Sequence, residues 1–314
     1  MSTNTNKYVE LFRSLREKEK YGSIAIVVIT VFSKVITESK SKTISGLVQE
    51  FNEVAKLIED SFPDLPFQFK AAAQMYKAAI RSTKENDMSK WLSSFHANAQ
   101  IQLDVARKAL ETIPYHVHPF LQHGMTIMTR GYDPLVLKCL SDRSDIQFHI
   151  FIAEGAPEKE GLLLANELAR TTKHQITLIP DSAIGACMHT TNIVLIGTEI
   201  VLDDGSLLAP VGTYTMAALA SISRRPVYCV CDSFRFYRYE DFILNPNDLG
   251  DLQRKVKYQP EGTFDENIRF YNDKYDLTPA KYVQMLVTEK GPLPTSDVTH
   301  ELTKLLGFKT FKND

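Results

Sequence analysis

The 314-residue chain has no long hydrophobic run and no excess of charge of one sign. Its longest apolar run, residues 24–31 with one threonine inside it, is far shorter than the roughly 20 residues that cross a bilayer. The 36 basic and 38 acidic side chains leave a formal net charge of −2, which argues against a protein that mainly coats nucleic acid or an anionic membrane. We therefore expect neither nucleic acid nor a membrane among the direct partners.

Cysteine pairs and nucleotide-binding motifs are also missing. The four cysteines show no CxxC spacing and no disulfide framework, so we expect a reduced, cytoplasmic protein. The sequence contains neither GxGxxG nor GxxxxGK[ST], and this excludes the usual signatures of a dinucleotide site and of a P-loop. His116, His118 and His123 lie close together in the sequence but lack a fourth ligand at a suitable spacing, so no metal site is predicted.

Residues 1–114 are expected to form an all-helical domain. Apolar side chains recur at three- and four-residue intervals over residues 44–58, which is the spacing of one buried helical stripe. A longer stripe over residues 88–113 predicts a helix of about seven turns that ends before Pro114 and begins at an Asp87 cap. The β-branched run at residues 24–36 is predicted as helix because its neighbours favour helix.

From residue 115 to residue 314, short apolar runs alternate with amphipathic stretches. This alternation predicts an α/β fold, a Rossmann-like, doubly wound domain with a mostly parallel sheet. The predicted strands are residues 125–128, 148–153, 176–179, 193–196, 227–231 and 285–288. A polar stretch at residues 245–276 is expected to be a long surface excursion. The last predicted helix, residues 298–306, is expected to end at Gly307.

Small, hydroxylated and charged residues follow the predicted strands. Ligands of an open parallel sheet bind at the carboxyl ends of its strands, so these positions define a candidate ligand-binding crevice. The residues are Arg130, Gly131, Tyr132, Glu154, Asp181, Ser182, Thr198 and Glu199. Gly212, Thr213 and Tyr214 open a further helix, whose free amide groups are expected to hold an anion. The alternative is that each position is only a helix cap, since caps favour the same residue types.

One run interleaves aromatic residues with arginines: Phe234, Arg235, Phe236, Tyr237 and Arg238. Proteins that bind single-stranded nucleic acid combine these residue types, and so do the cores of protein–protein interfaces. Because no net positive charge supports nucleic-acid binding, we predict that this run lies at a protein interface.

Short motifs in a specific order cover nearly the whole second half of the chain. They are residues 176–185, 194–199, 204–205, 211–214, 225–228, 233–236, 275–279, 286–291 and 301–302. In this order they resemble the family of the alpha, beta and delta regulatory subunits of eukaryotic translation initiation factor 2B and their sugar-phosphate isomerase relatives. The chain is short and has no long basic extension before its helical part, and in this it is most similar to the alpha-type members.

The resemblance implies a regulatory, non-catalytic subunit of a guanine-nucleotide exchange assembly. Such a subunit is a homodimer that bridges the assembly, and the resemblance places its interface in the second domain. The implied partners are the beta, delta, gamma and epsilon subunits of factor 2B and the alpha subunit of initiation factor 2, particularly in its phosphorylated form. Catalysis of the exchange reaction belongs to the epsilon subunit.

The isomerase relatives imply an alternative function, an aldose–ketose isomerase that acts on methylthioribose 1-phosphate or ribose 1,5-bisphosphate. These relatives carry a cysteine after the first strand and an aspartate after the fourth, where this chain has Gly131 and Glu199. A glycine supplies neither a proton nor a nucleophile. Ala156 and the pair Ala209-Pro210 replace phosphate-binding residues of the relatives. We therefore predict no enzymatic activity and no cofactor. The family resemblance suggests a sugar phosphate or a nucleotide as a ligand of the crevice.

Overall fold

The computed structural model describes residues 6–19, 23–83, 85, 87–143, 145–239, 249–258 and 262–306. Gly307, the expected end of the last helix, lies outside the described residues. The α-helices are α1 (Asn6–Lys18), α2 (Ile24–Glu38), α3 (Ile44–Ser61), α4 (Phe67–Ser82), α5 (Met88–Val117), α6 (Pro134–Ser141), α7 (Glu160–Thr171), α8 (Ile184–Met188), α9 (Thr213–Ile222) and α10 (Val298–Leu305). The strands are β1 (Thr126–Arg130), β2 (His149–Ala153), β3 (Gln175–Ile179), β4 (Ile193–Ile196), β5 (Ile200–Leu202), β6 (Leu207–Pro210), β7 (Val227–Val230), β8 (Phe236–Tyr237), β9 (Tyr275–Thr278), β10 (Met285–Thr288) and β11 (Gly291–Leu293).

Helix α2 is the centre of the helical half. Nine of its 15 residues are buried, and it packs against α1, α3, α4 and α5. Ser23 caps its first turn by accepting a hydrogen bond from the amide of Ala25. The predicted helix is confirmed, and the reason is tertiary: burial on several sides outweighs the strand preference of the β-branched residues. No described helix combines the length and the apolar character needed to cross a membrane.

Helix α5 corrects the predicted boundary of the helical half. It begins after the Asp87 cap as predicted, but it continues through Pro114 to Val117. A proline this near the end of a helix removes one hydrogen bond of the last turn and leaves the rest of the helix intact. Burial compensates for this loss, because Ile113 and Val117 pack into a core cluster with residues of β1 and α6.

The main sheet confirms the predicted doubly wound architecture. Its seven strands have the order β11-β10-β7-β4-β1-β2-β3, and all neighbours are parallel except β10 and β11. Strand β1 lies inside the sheet, where it pairs with β2 and β4, and its last residue is Arg130. The strand predicted to end at Met128 therefore continues for two residues, and Arg130 lies at the carboxyl edge of the sheet.

A second, four-stranded sheet was not predicted. Its order is β8-β5-β6-β9, and its strands are two to four residues long. Strand β9 begins at the last two residues of the polar stretch that was expected to be a surface excursion. Leu249, Leu252 and Val256 of that stretch are buried, so only part of it, residues 262–269 above all, lies on the surface. Residues 245–248 and 259–261 of the stretch are outside the described part of the chain.

The two halves share one hydrophobic core. Its main cluster contains side chains of α2, α3 and α4 together with side chains of β4, β7, β10 and α10. Helix α4 contacts both β8 and the short 3₁₀ turn Ser233–Arg235 that precedes it. These contacts place the helical half against the carboxyl edge of the main sheet.

Candidate functional site

The predicted crevice is occupied by the side chain of Arg130. Its Nε lies 3.0 Å from Oδ1 of Asp181, and one terminal nitrogen lies 3.5 Å from the carbonyl oxygen of Pro210. The side chain of Arg130 is only 5% exposed. A Cβ atom at Gly212 would approach the guanidinium to 2.9 Å, so the arginine head group packs directly beneath that glycine. The residue that was expected to bind a ligand is instead held by the protein itself.

Little space remains around Arg130. The crevice has a free volume of about 10 Å³. It is lined by Arg130, Gly131, Gly155, Ala156, Pro157, Glu158, Glu160, Pro210, Val211, Val256 and Lys274. A volume of this size holds about one water molecule, whereas pockets for small ligands measure about 300–1,000 Å³. The described crevice therefore has no room for a sugar phosphate.

The charged groups of the crevice pair with one another. Lys274 Nζ lies 3.2 Å from Glu158, and the second oxygen of Asp181 accepts a hydrogen bond of 2.7 Å from the amide of Ala156. Burial and the nearby charge of Glu158 raise the pKa of Glu160. A phosphate group that entered here would have to break existing ion pairs and approach several carboxylates, which is unfavourable.

The amide groups at the start of α9 are also engaged, contrary to the prediction of an anion site there. Asp276 accepts a hydrogen bond of 2.6 Å from the Gly212 amide and bonds of 3.2 Å from the Tyr214 amide. The hydroxyl of Thr213 donates to the Pro210 carbonyl oxygen. Burial raises the pKa of Asp276 to about 6 in spite of these hydrogen bonds. An internal carboxylate thus takes the place that an external anion was expected to fill.

Glu199 and Thr198 follow β4 as predicted, but their environments differ. The Thr198 hydroxyl bonds the carbonyl oxygens of Ile200 and Leu208 and thereby holds the turn into β5. The Oε2 atom of Glu199 is enclosed and has no hydrogen-bond partner among the residues that the structure describes. Burial raises the pKa of this carboxyl to about 7, although Arg235 and Lys274 lower it. Glu199 is therefore a carboxyl group that changes its charge near neutral pH.

The remaining crevice residues are not gathered around a common point. The Tyr132 hydroxyl donates to Glu167 on α7, at 3.3 Å. Ser182 is exposed in the turn after β3, and Glu154 is partly buried after β2. Of the predicted ligand-binding residues, the structure brings Arg130 and Gly131 together in the lining of the crevice, with Asp181 bound to Arg130.

A second ionic cluster lies at the same edge of the sheet, around Arg235. One terminal nitrogen of Arg235 lies 2.6 Å from Asp133 and 2.6 Å from the Thr198 carbonyl oxygen, and Nε lies 3.5 Å from Asp232. Burial lowers the pKa of Arg235, but the carboxylates of Asp133 and Asp232 outweigh this effect and the net shift is upward. Ser23, the cap of α2, donates a hydrogen bond to Asp232. The cluster thus joins β1, β4 and β7 to the helical half.

This cluster corrects the predicted interface. Phe234, Arg235 and Phe236 are 5%, 4% and 1% exposed, because they pack between the sheet and helix α4 inside one chain. They are therefore not available to another protein. Tyr237 is partly buried and Arg238 is exposed, so the surface prediction remains open for these two residues alone.

Sequence reasoning missed three residues that define the site: Asp133, Asp276 and Lys274. Asp133 precedes Pro134 at the start of α6, a typical capping position, and Asp276 lies in the motif at residues 275–279. The local signals were present. The partners of these three residues are far away in the sequence, so the local patterns did not reveal which groups they contact.

Thiols and metal ligands do not complete a reactive site in the described part of the chain. Cys139, Cys229 and Cys231 are buried free thiols, Cys187 is partly buried, and none of them lines the crevice. The described residues contain no group of three or more histidine, cysteine, aspartate or glutamate side chains arranged to hold a metal ion.

Residues 19–295 match the Initiation factor 2 subunit family. The chain belongs to this family. It is 24% identical over 304 residues to the translation initiation factor eIF2B subunit alpha of Caenorhabditis elegans, which covers 95% of this chain and 97% of that protein. It is also 25% identical over 280 residues to the ribose 1,5-bisphosphate isomerase of Pyrococcus furiosus, covering 87% of this chain and 85% of that enzyme.

A solved structure from the same family supports the fold. The tetrameric eIF2B-beta2-delta2 complex from Chaetomium thermophilum contains a chain that superposes with a TM-score of 0.70. The match has 15% sequence identity and covers 96% of this chain and 94% of that chain. The chain is thus similar both to subunits of factor eIF2B and to a ribose 1,5-bisphosphate isomerase.

Proposed function

We propose that the chain is a regulatory, non-catalytic subunit of a translation initiation factor 2B exchange assembly, in which it acts as a bridging homodimer. The similarity to eIF2B subunit alpha extends over nearly the whole of both chains. The observation that carries the non-catalytic part is the closed crevice, in which Arg130 and Asp181 occupy the edge of the sheet and leave about 10 Å³. An isomerase must admit its phosphorylated sugar at such an edge.

The residues at the crevice support the same proposal. Gly131 stands at the end of β1 and offers no side chain for proton transfer or nucleophilic attack. Ala156 donates its backbone amide to Asp181 and has no cationic side chain for a phosphate. The two cations of the crevice, Arg130 and Lys274, are already paired with Asp181 and Glu158.

The proposed partners are the beta, delta, gamma and epsilon subunits of factor 2B and the alpha subunit of initiation factor 2, particularly its phosphorylated form. A related chain assembles in the beta2-delta2 complex from Chaetomium thermophilum. In this proposal the chain contributes binding surfaces, and another subunit performs nucleotide exchange.

Purification of the tagged chain from its own cells, followed by native mass spectrometry, tests the assembly. We expect two copies of the chain together with the other factor 2B subunits. An exchange assay should show that phosphorylated initiation factor 2 inhibits GDP release only when the chain is present. A chain that stays monomeric at micromolar concentration and brings down none of these subunits would contradict the proposal.

A second candidate function is a sugar-phosphate isomerase, and Glu199 is the observation that favours it. A carboxyl with a pKa of about 7 is suited to general acid–base catalysis at neutral pH. Incubation of the purified chain with ribose 1,5-bisphosphate or methylthioribose 1-phosphate tests it directly. We expect no turnover above background; turnover that Glu199→Gln abolishes would replace the regulatory proposal with the enzymatic one.

A further inference from the structure

A large groove separates the helical half from the second, four-stranded sheet. Its volume is about 1,070 Å³. Helices α3 and α4 form one wall, and the turn between β5 and β6, strand β8 and helix α10 form the other. None of the residues that line this groove lines the crevice around Arg130. The groove is therefore a separate feature of the molecule.

The helical wall carries a stripe of positive charge. Lys70, Gln74, Lys77 and Arg81 all line the groove, and their spacing places them on one face of α4. In the described part of the chain no carboxylate lies within 4.0 Å of the charged group of Lys70, Lys77 or Arg81. The ammonium group of Lys70 instead lies 5.7 Å from the ring of Phe67. Among the described residues the stripe thus has no ion-pair partner, although Glu59 of α3 lines the same groove.

The two walls are held at a fixed separation by Gln74. Its side-chain amide donates a hydrogen bond of 2.8 Å to the Arg238 carbonyl oxygen and accepts one of 2.9 Å from the Arg238 amide. This pair of bonds joins α4 to the segment after β8. A groove with connected walls costs less ordering entropy when a partner binds.

Apolar side chains also line the groove on both sides, which we call its floor, and three of the four from the helical side are alanines. Ala55, Ala73 and Ala78 line it from α3 and α4, and Leu277 and Leu306 line it from the other wall. Small side chains allow the backbone of an extended segment to approach closely. Charge at the wall and apolar surface at the floor suit a peptide better than a rigid small molecule.

We propose that this groove docks an acidic, extended polypeptide segment of a partner protein, with its carboxylates against Lys70, Lys77 and Arg81. Asp203 and Asp204 line the opposite wall and repel any negative charge there. A peptide can direct its carboxylates to the α4 wall alone, whereas a nucleic acid carries a phosphate at every nucleotide. The net charge of the chain, −2, also gives nucleic acid no long-range attraction.

Fluorescence anisotropy with a labelled peptide of alternating glutamate and alanine tests the proposal on the full chain. The double variant Lys77→Glu/Arg81→Glu should weaken binding at least about tenfold, and raising the salt concentration should weaken binding to the wild type. The matched control, Lys90→Glu/Lys108→Glu, makes the same change of charge at exposed positions of α5 that do not line the groove. It should bind within about twofold of wild type. Thermal unfolding of each variant checks that it is folded.

Gln74→Ala provides a test that leaves every cation in place. Loss of the bonds to Arg238 should weaken peptide binding by roughly threefold, since the groove is then less well ordered before binding. Three results would overturn the proposal. They are an equal loss in the α5 control, tighter binding of an oligouridylate than of the peptide, and dissociation of a homodimer by the groove variant in sedimentation, which would assign the groove to a second copy of the chain.

Discussion

Arg235 and Asp133 form an ion pair of 2.6 Å inside the protein, although 102 residues separate them in the sequence. Asp133 caps α6 after β1, and Arg235 ends the turn after β7. Because Arg235 also bonds the Thr198 carbonyl oxygen after β4, one guanidinium joins three strand ends. The edge at which related α/β proteins bind ligands is thus cross-linked by the chain itself.

Replacement of this guanidinium should destabilise the protein strongly. Arg235→Leu leaves Asp133 and Asp232 buried without their cation, which should lower the free energy of unfolding by about 3–5 kcal/mol. The control is Arg107→Leu, whose side chain is 56% exposed and should change stability by less than about 1 kcal/mol. Urea unfolding measures both, and a loss below about 1 kcal/mol for Arg235→Leu would contradict the role assigned to the cluster.

The packing of Arg130 beneath Gly212 predicts a steric effect. In Gly212→Ala the new methyl group meets the guanidinium at 2.9 Å, and the backbone φ of 101° is unfavourable for alanine, so we expect a loss of about 2–4 kcal/mol. Gly131→Ala is the matched control, since its φ is 65° and no atom lies within 4 Å of a Cβ there; it should lose only about 1–2 kcal/mol. In an Arg130→Ala background the excess cost of Gly212→Ala should disappear. A cost that stays the same in that background would show that the two residues do not compete for space.

Glu199 predicts a pH-dependent contribution to stability. Between pH 4.5 and about 7 this carboxyl is ionised in the unfolded chain but keeps its proton in the folded chain. The unfolded state therefore binds fewer protons, and the free energy of unfolding falls as the pH rises. Glu199→Gln removes this cost and should stabilise the protein by about 1–3 kcal/mol at pH 8, with no gain at pH 4. Chemical unfolding at a series of pH values measures the difference, with Glu111→Gln on α5 as the surface control. A gain that is the same at pH 4 and pH 8 would exclude the buried carboxyl as its source.

Asp276 predicts a capping effect on α9. Asp276→Ala frees the amide groups of Gly212 and Tyr214 and should cost about 1–2 kcal/mol. Asp276→Asn keeps an acceptor oxygen and should cost less. Asp273→Ala, which removes a surface pairing with Lys255, should be nearly neutral, at less than about 1 kcal/mol. Circular dichroism during thermal unfolding ranks the three variants, and an Asp276→Ala protein as stable as wild type would exclude the cap.

Local sequence patterns were sufficient for the main elements of this fold. Strand β4 coincides with its predicted apolar run, and β2 lies within one residue of its predicted bounds. These elements are long enough, and periodic enough, for burial to be visible in the sequence. The strands of the second sheet have at most four residues, and pairing with distant segments defines them, as when Leu208 of β6 pairs with Leu277 of β9.

The candidate site was harder to predict because its contacts are distant in sequence. The run from Phe234 to Arg238 has a composition that suits both a surface interface and a buried contact between two parts of one chain. The contact that distinguishes them joins Arg235 to Asp133, which is 102 residues away. In the same way, a glycine-threonine start of a helix indicates free amide groups, and only the fold shows that Asp276 has already bound them. Residue types indicated which groups can bind a ligand or another protein. The tertiary structure showed which of these groups already bind other parts of the chain.

The common core of the two halves affects how the molecule can be handled and how it can change. The apolar faces of α2 and α4 are covered partly by side chains from the sheet, so a fragment cut near Val117 would expose them to water. Neither fragment should behave as an independent folding unit. Rearrangement of the helices against the sheet would therefore require repacking of the protein interior.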